Sequence, residues 1–327
     1  MNENDRAAGG REAAGGREAA GGRGAAGRKP SVDRSGRLRT YAFRAAFLAP
    51  ALVVYTVILL VPILDSMRLS LYSGTGLVPT EFVGLANFRK IFLDPSFSER
   101  VWGAFRNNIV FFLIVTLIQN VLGFFLALAV TRAVKGAAFV RKVSFLPTTL
   151  SVLVVGFLFR QMLNPIWGLL GSFPWLGNEA TALPALAVAV SWQFIGESIL
   201  LYAIGIDGIP RDHLEAARID GAGWFQETRH IVLPALMPVV GMVTLLIFVG
   251  DFTQFDIVYA MTTTMANPRY TTDLFGSLFY RSAFQSPVRG GWGMGMGAAV
   301  STIMVFVVSI GVAFWYYLFR GRLKEED

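Results

Sequence analysis

Six apolar runs, at residues 41–64, 105–130, 143–163, 183–206, 235–261 and 294–319, constrain this chain more than any motif in it. Each is close to the roughly 20 residues that a helix needs to cross the hydrocarbon core of a bilayer. A backbone in hydrocarbon has to satisfy its own N–H and C=O groups, and a helix does so within a single segment. The expected fold is therefore an all-α polytopic membrane protein with about six transmembrane helices. Composition agrees: 54% of the residues are hydrophobic and 16% are charged, outside the balance of a soluble domain.

An even number of spans puts both termini on one side. The basic N-terminal stretch, the loop with Arg132, Lys135, Arg141 and Lys142, and the terminal Arg320, Arg322 and Lys324 favour the cytoplasm for that side. Arg68, Arg89, Lys90, Arg100, Arg269, Arg281 and Arg289 run against the rule, while the absence of basic residues from Asn164 to Ala182 supports it. Residues 1–40 are rich in Gly, Ala and Arg, with Arg11-Glu12-Ala13-Ala14-Gly15-Gly16 repeated from Arg17 to Gly22. Such a segment cannot bury a core and is expected to be a disordered cytoplasmic tail. The formal charge of +7 lies mainly in this tail and in short loops, which points to anionic lipid headgroups rather than nucleic acid. The first apolar run starts late and is too long for a cleavable signal.

Between the fourth and fifth runs lies a polar island, residues 207–234. Pro210 presets the backbone angle of a first helical turn, and Asp212 puts negative charge at the positive end of a helix dipole. A short helix is expected to start there, to carry Leu214, Ala216 and Ala217, and to end at Gly221, where the missing side chain permits a sharp turn. Small residues at such a turn allow another protein to approach closely.

Glu215-Ala216-Ala217, then Asp220-Gly221, then Ile231, Leu233 and Pro234, resembles the EAA loop of the membrane-spanning permease subunits of bacterial ABC importers. The flanking Ile209-Pro210, Leu214 and Ile219-Asp220-Gly221-Ala222 are similar to the carbohydrate-uptake branch, which includes the maltose and glycerol-phosphate types. Phe82-Val83-Gly84-Leu85-Ala86-Asn87-Phe88, Asn107-Asn108, Phe145-Leu146-Pro147 and Asn164-Pro165-Ile166-Trp167-Gly168-Leu169-Leu170 also resemble that branch, the first of these its first-permease type. The departures are Gly171, where an asparagine is usual, and Thr262-Thr263-Thr264-Met265-Ala266-Asn267-Pro268, where a Gly-Gly-Pro segment is common.

The resemblance implies a type I importer permease, multi-pass in the bacterial plasma membrane, with a transmembrane domain at 41–320 and short tails outside it. It implies that the loop 207–234 is a coupling helix docked on a separate ATPase. The residues carried over to that role are Glu215, Ala216, Ala217, Asp220, Gly221, Ile231, Leu233 and Pro234. The implied partners are a second homologous permease, an ABC-type ATPase dimer and an extracellular solute-binding protein that delivers a sugar. No cofactor is expected in this chain, ATP and Mg being bound by the ATPase.

The residues themselves argue against catalysis. No lysine is followed by Ser or Thr, so there is no Walker A motif. There is no cysteine, and His213 and His230 are the only histidines, both in the polar island. Ionisable groups in apolar spans are costly and usually face a cavity or a partner, which singles out Glu197, Asp251, Asp256 and Arg160. Trp192, Gln193, Glu197 and Ser198 cluster on the fourth run, and Asp251, Phe252 and Gln254 on the fifth. Aromatic faces for C–H surfaces, with carboxylates and amides for hydroxyls, are what a sugar pathway needs. Structural alternatives are an ion pair of Arg160 with Glu197 or Asp251, and a pairing of Glu215 with Arg218. At the level of function, the alternatives are an ion-coupled carrier using the intramembrane carboxylates, a permease for a glycerol-phosphate compound, and a membrane-embedded hydrolase, for which no nucleophile and base are evident. The alternating Gly291, Gly293, Gly295 and Gly297 fit either a tightly packed helix start or a gating hinge.

Overall fold

The computed structural model describes residues 34–73, 81–131, 136–263, 265–285 and 293–319, with side chains from Phe43 onward. The Gly/Ala/Arg repeat and the C-terminal tail fall outside the described residues, as do Arg132, Lys135, Thr264, Arg289 and Gly291.

The chain divides into two units, Met1–Val57 and Ile58–Asp327. The first contributes α1 (Arg34–Tyr55), with Pro50 inside it. α1 begins before the apolar run that started at 41. Arginine is a good helix former, and each residue added to an existing helix gains a hydrogen bond. Its described side chains are exposed and mostly apolar, as lipid-facing ones would be.

In the second unit, α2 (Val61–Leu69) leads to β1 (Tyr72–Ser73), which pairs antiparallel with β2 (Glu81–Phe82), Tyr72 opposite Phe82. Asn87 at the start of α3 (Ala86–Leu93) donates from Nδ2 to the carbonyls of Ser70 and Tyr72, both at 2.8 Å. That gives the Gly84-Leu85-Ala86-Asn87 motif a physical role: it ties the hairpin back to α2. Asp94 then caps α4 (Pro95–Thr131), accepting from the Ser96 hydroxyl at 2.7 Å and its N–H at 3.0 Å. Those two bonds, the hydroxyl's first, hold the Asp94 carboxyl below the usual carboxylate range.

α5 (Ala137–Phe145), a 3₁₀ turn (Leu146–Thr149) and α6 (Val152–Met162) follow, then α7 (Ala182–Asp207) and the short α8 (Arg211–Ile219). After α8 come α9 (Trp224–Glu227), a π turn (Thr228–Val232), α10 (Leu233–Ala235) and α11 (Met237–Phe252). α12 (Asp256–Thr262), α13 (Phe275–Phe284) and α14 (Met294–Phe319) complete the described part.

Four stretches, Phe43–Leu69, Pro95–Thr131, Ala182–Asp207 and Met294–Phe319, are each long and apolar enough to cross a membrane; two bent pairs bring the number to as many as six. With the bent pairs counted as spans the number agrees with the expected six or so, two of them being broken rather than straight. The third run, 143–163, turns by 102° between its halves. Pro147 lacks an N–H to donate, and Leu150 and Ser151 adopt extended ψ angles of 148° and 138°. The fifth run bends by 62° at Leu236, and its helix stops at Phe252, with Asp256 to Thr262 resuming as α12 against α6.

Broken helices release backbone groups that hydrocarbon cannot solvate, and side chains on neighbouring spans take them up. Gln193 Nε2 donates to the Leu150 carbonyl at 2.9 Å. Asn108 Nδ2 donates to the Asp251 carbonyl at 3.0 Å, and its Oδ1 accepts from the Phe275 N–H at 2.8 Å. Asn107 Nδ2 donates to the carbonyls of Tyr270 and Asp273 at 3.3 and 3.0 Å. The adjacent asparagines thus clamp the segment beyond α11, which carries positive φ at Thr263, Ala266, Arg269 and Tyr270. Beneath it, Asp273 accepts from Arg281 and from Ser277, the latter at 2.6 Å.

The centre of the unit is α4 packed along α7, with α11 against both. Ser198 Oγ donates to Gln119 Oε1 at 3.1 Å, the Tyr202 hydroxyl bonds Asn120, and Asn120 Nδ2 reaches Thr244 Oγ1 at 3.2 Å. Interhelical bonds of this kind contribute about 0.6 kcal/mol each in a membrane protein. At the start of α14, a Cβ on Gly295 would strike the Tyr72 carbonyl and one on Gly297 would strike Ala283, so these glycines serve close packing.

Asn108→Leu keeps the volume but strands the buried Phe275 N–H, at about 1–3 kcal/mol, and removes one of the contacts to the Asp251 carbonyl. The variant is expected to lower the thermal unfolding midpoint of the detergent-solubilised protein, measured by fluorescence-detected size exclusion. An unchanged midpoint would mean that the clamp carries no weight.

Candidate functional site

The polar island folds as expected, with one shift at its start. Pro210 occupies the cap position with an extended ψ of 129°, so α8 begins at Arg211. At its end, Gly221 takes φ +83°, the Gly221 N–H donates to the Arg218 carbonyl at 3.1 Å, and the Ala222 N–H reaches back to Ala217 at 2.9 Å. This is the Schellman arrangement, in which a left-handed glycine satisfies the last carbonyls of a helix. A side chain at 221 would be strained whatever space surrounded it.

Most of this segment is uncovered. Glu215, Ala216, Asp220 and Gly221 are exposed, as are Leu233 and Pro234, while Ala217 and Ile231 are half-buried. Ile219 is 85% exposed and Phe225 64%, more than a polar segment in water would leave bare. Arg218 does not pair with Glu215; it reaches across the turn to the buried Glu227, Nε to Oε2 at 3.2 Å. The surface around Glu215 is therefore free for another molecule.

Behind α8 lies a hollow of about 980 Å3, walled by Ala216, Ala217, His213, Asp220, His230 and Ile231 together with Gly205 of α7, Gly208 just past its end, and Val239 and Met242 of α11. A second cavity, about 290 Å3, lies further along the same two helices. Its lining includes Glu197, Ser198 and Leu201 of α7, Val243, Ile247 and Asp251 of α11, Gln254 just beyond, and Gln119 of α4. On α7 and its C-terminal cap the positions 197, 201, 205 and 208, and on α11 the positions 239, 243, 247 and 250, recur at helical spacing. The two cavities therefore lie along one continuous face.

Asp251 is 3% exposed and its Oδ2 makes no hydrogen bond among the described residues. A buried carboxylate oxygen with a free lone pair beside a cavity is an acceptor for a ligand hydroxyl. Of the sequence candidates, Glu197, Ser198, Asp251 and Gln254 come together here; the others do not. Gln193 holds the bend at Leu150, Trp192 packs its ring 5.5 Å from Phe159, and Phe252 sits in an aromatic cluster with Phe112, Phe248 and Phe275. Arg160 lines a separate depression with Asn164 and Asn267, and among the described residues no ion pair joins it to Glu197 or Asp251. Asp256 is exposed at the start of α12. Gln119 went unnoticed in the sequence, although an amide in the middle of an apolar run was a signal. Among the described residues, no cluster of three His, Cys, Asp or Glu side chains could hold a metal ion.

Residues 100–325 match the family described as binding-protein-dependent transport system inner membrane component. The chain is 30% identical over 294 residues to the probable ABC transporter permease protein YurN of Bacillus subtilis, covering 86% of this chain and 96% of that one. It is 29% identical to the diacetylchitobiose uptake system permease NgcF of Streptomyces coelicolor, covering 82% and 80%. It is 28% identical to the lactose transport system permease LacF of Rhizobium radiobacter, covering 84% and 93%. In fold it is similar to a chain of a bacterial ABC transporter that imports alginate, with a TM-score of 0.71 at 19% identity, covering 87% of this chain and 98% of that one. With apolar spans, a bare polar helix between two of them and a match over most of its length, this chain belongs to the inner membrane components of binding-protein-dependent transport systems, the permease subunits of ABC importers.

Proposed function

We propose that this chain forms half of the translocation pathway of a sugar importer, and that its α8 segment docks on a separate ATPase. The observation that carries the reading is the continuous face of α7 and α11. It runs from a bare amphipathic helix, through the hollow behind it, to a cavity with an unpartnered carboxylate oxygen. Glu215, Ala216, Ala217, Asp220 and Gly221 present the docking surface, and Ile231, Leu233 and Pro234 carry the chain back into the membrane. Glu215 is the charged contact, and Gly221 sets the turn that presents it.

Cargo chemistry follows from the cavity. Glu197 and Asp251 accept hydrogen bonds, Gln119 and Gln254 both donate and accept, and Ser198 adds a hydroxyl. Among the described residues no Lys or Arg lines this cavity, so a phosphorylated cargo would meet two carboxylates with no counter-charge from them. A neutral sugar suits the site, in keeping with relatives named for lactose and diacetylchitobiose. Phe194 and apolar residues of α7 and α11 offer surface for its C–H faces.

The chain itself catalyses nothing in this reading. An ATPase dimer binds ATP and Mg and supplies the free energy, a second permease completes the cavity, and an external binding protein delivers the sugar. Closure of the ATPases displaces α8, and the displacement travels along α7 and α11 to the cavity. On this orientation both termini and α8 are cytoplasmic.

In proteoliposomes holding the complete importer and its loaded binding protein, Glu215→Lys or Gly221→Trp is expected to abolish uptake and to uncouple ATP hydrolysis while leaving the permease folded. Normal transport by both would remove the docking assignment. Asp251→Asn is expected to lower the uptake of radiolabelled disaccharides, tested with lactose and diacetylchitobiose, by roughly tenfold, the loss of one charge-assisted hydrogen bond. Unchanged uptake kinetics would take Asp251 off the pathway.

A further inference from the structure

A glycine joint separates α8 from α9, and among the described residues an Arg–Glu ion pair crosses it. α8 ends in the left-handed Gly221, and Ala222 and Gly223 follow before α9 begins at Trp224. Glycine offers the least resistance to backbone rotation. Little else within the chain holds α8, since only Leu214 and Ala217 among its residues are even half-buried. A push on α8 would be absorbed by rotation at 221–223 unless something spanned those residues.

Arg218 spans them. Its Nε lies 3.2 Å from Glu227 Oε2 and its Nη2 3.4 Å from Oε1, a two-pronged contact. The Glu227 side chain is 5% exposed, whereas that of Arg218 is 60% exposed. Burying a carboxylate is costly without charged or hydrogen-bonding partners, so the buried end of this pair fixes where the exposed end must lie. The contact joins the last turn of α8 to the last residue of α9. From there the π turn and α10 continue to the 62° bend into α11, whose far end carries Asp251.

We infer that Glu227 is a positioning residue for transport: with Arg218 it forms a strut that makes α8, α9 and α10 move as one lever. Displacement of α8 then reaches α11 and the cavity instead of dissipating at the glycine joint. The inference rests on the docking reading proposed above. It separates two properties that Glu215 combines, because removing the strut leaves the docking surface intact while breaking transmission.

The chain has no cysteine, so R218C/E227C introduces a unique thiol pair. The double variant is assembled with its ATPase and binding protein in proteoliposomes, before and after bridging by short bis-methanethiosulfonate reagents. Three quantities are read: ATPase retained on the purified permease, stimulation of ATP hydrolysis by the loaded binding protein, and uptake of radiolabelled lactose or diacetylchitobiose. Unbridged, the variant is expected to keep its ATPase but to lose stimulation by about tenfold or more, equivalent to a coupling free energy of about 1.4 kcal/mol. Bridging is expected to restore stimulation to within about threefold of the unmodified chain, and reductant to abolish the gain. A covalent tether without charge would not repair a role confined to local electrostatics. Arg218→Ala, which changes only the exposed end, keeps the test open if the buried substitution prevents folding, and it is expected to lose stimulation in the same way. Normal stimulation in Arg218→Ala, or a bridged protein no better than the unbridged one, would overturn the inference. If the unmodified chain retained no ATPase, the docking reading would fall and the strut with it.

Discussion

Every backbone N–H and C=O in hydrocarbon needs a partner, and this chain interrupts two of its spans. The rest of the fold is arranged around making good that deficit. Leu150, Asp251 and Phe275 each present a main-chain group at a break or a helix start, and Gln193 and Asn108 meet them from neighbouring helices. α4 is the structural mast. Its Asn107 and Asn108 fix the segment beyond α11, and lower down Gln119 and Asn120 bind α7 and α11. A helix that looks uniformly greasy by composition is therefore the main supplier of polar contacts in the bundle interior.

The same economy explains why the cavity lies where it does. Breaking the fifth run at Thr253 to Phe255 leaves Asp251 at the end of α11 and Gln254 in the break, so both reach a space that a straight helix would have filled with its own turn. The intramembrane carboxylates divide by environment. Asp273 is buried with Arg281 and Ser277 and serves the architecture, whereas Asp251 has an oxygen without a partner among the described residues and faces the cavity. At the other end of the same face, α8 is held by few contacts and ends in a glycine turn. The closely packed α4–α7–α11 centre thus contrasts with a lightly attached α8.

Much of this was legible in the sequence. Six apolar runs specified a multi-spanning membrane protein and the polar island a short capped helix, because hydrophobic length and turn chemistry are local properties, while the spacing around Glu215, Gly221 and Pro234 pointed to a permease through its resemblance to the EAA loop. Ser198, Glu197, Asp251 and Gln254 were also readable as polar groups out of place in apolar runs. Trp192, Gln193 and Phe252 carried the same signal and turned out to serve a ring contact, a backbone bend and an aromatic cluster. Residue type reveals that a polar group needs a partner but not which partner it finds.

By itself the sequence determined the apolar runs that supply the membrane segments, the site of the short polar helix and its capped turn, since each depends on residues close to one another along the chain. Only the tertiary structure decided where the third and fifth runs break, that Arg218 closes on Glu227 rather than Glu215, and that Gln119 joins the cavity. The breaks and the cavity depend on groups brought together from distant parts of the chain, where the bilayer's refusal to solvate an unpaired polar group selects among the possible pairings. The Arg218–Glu227 contact depends on the turn at Gly221 that brings α9 beside the end of α8.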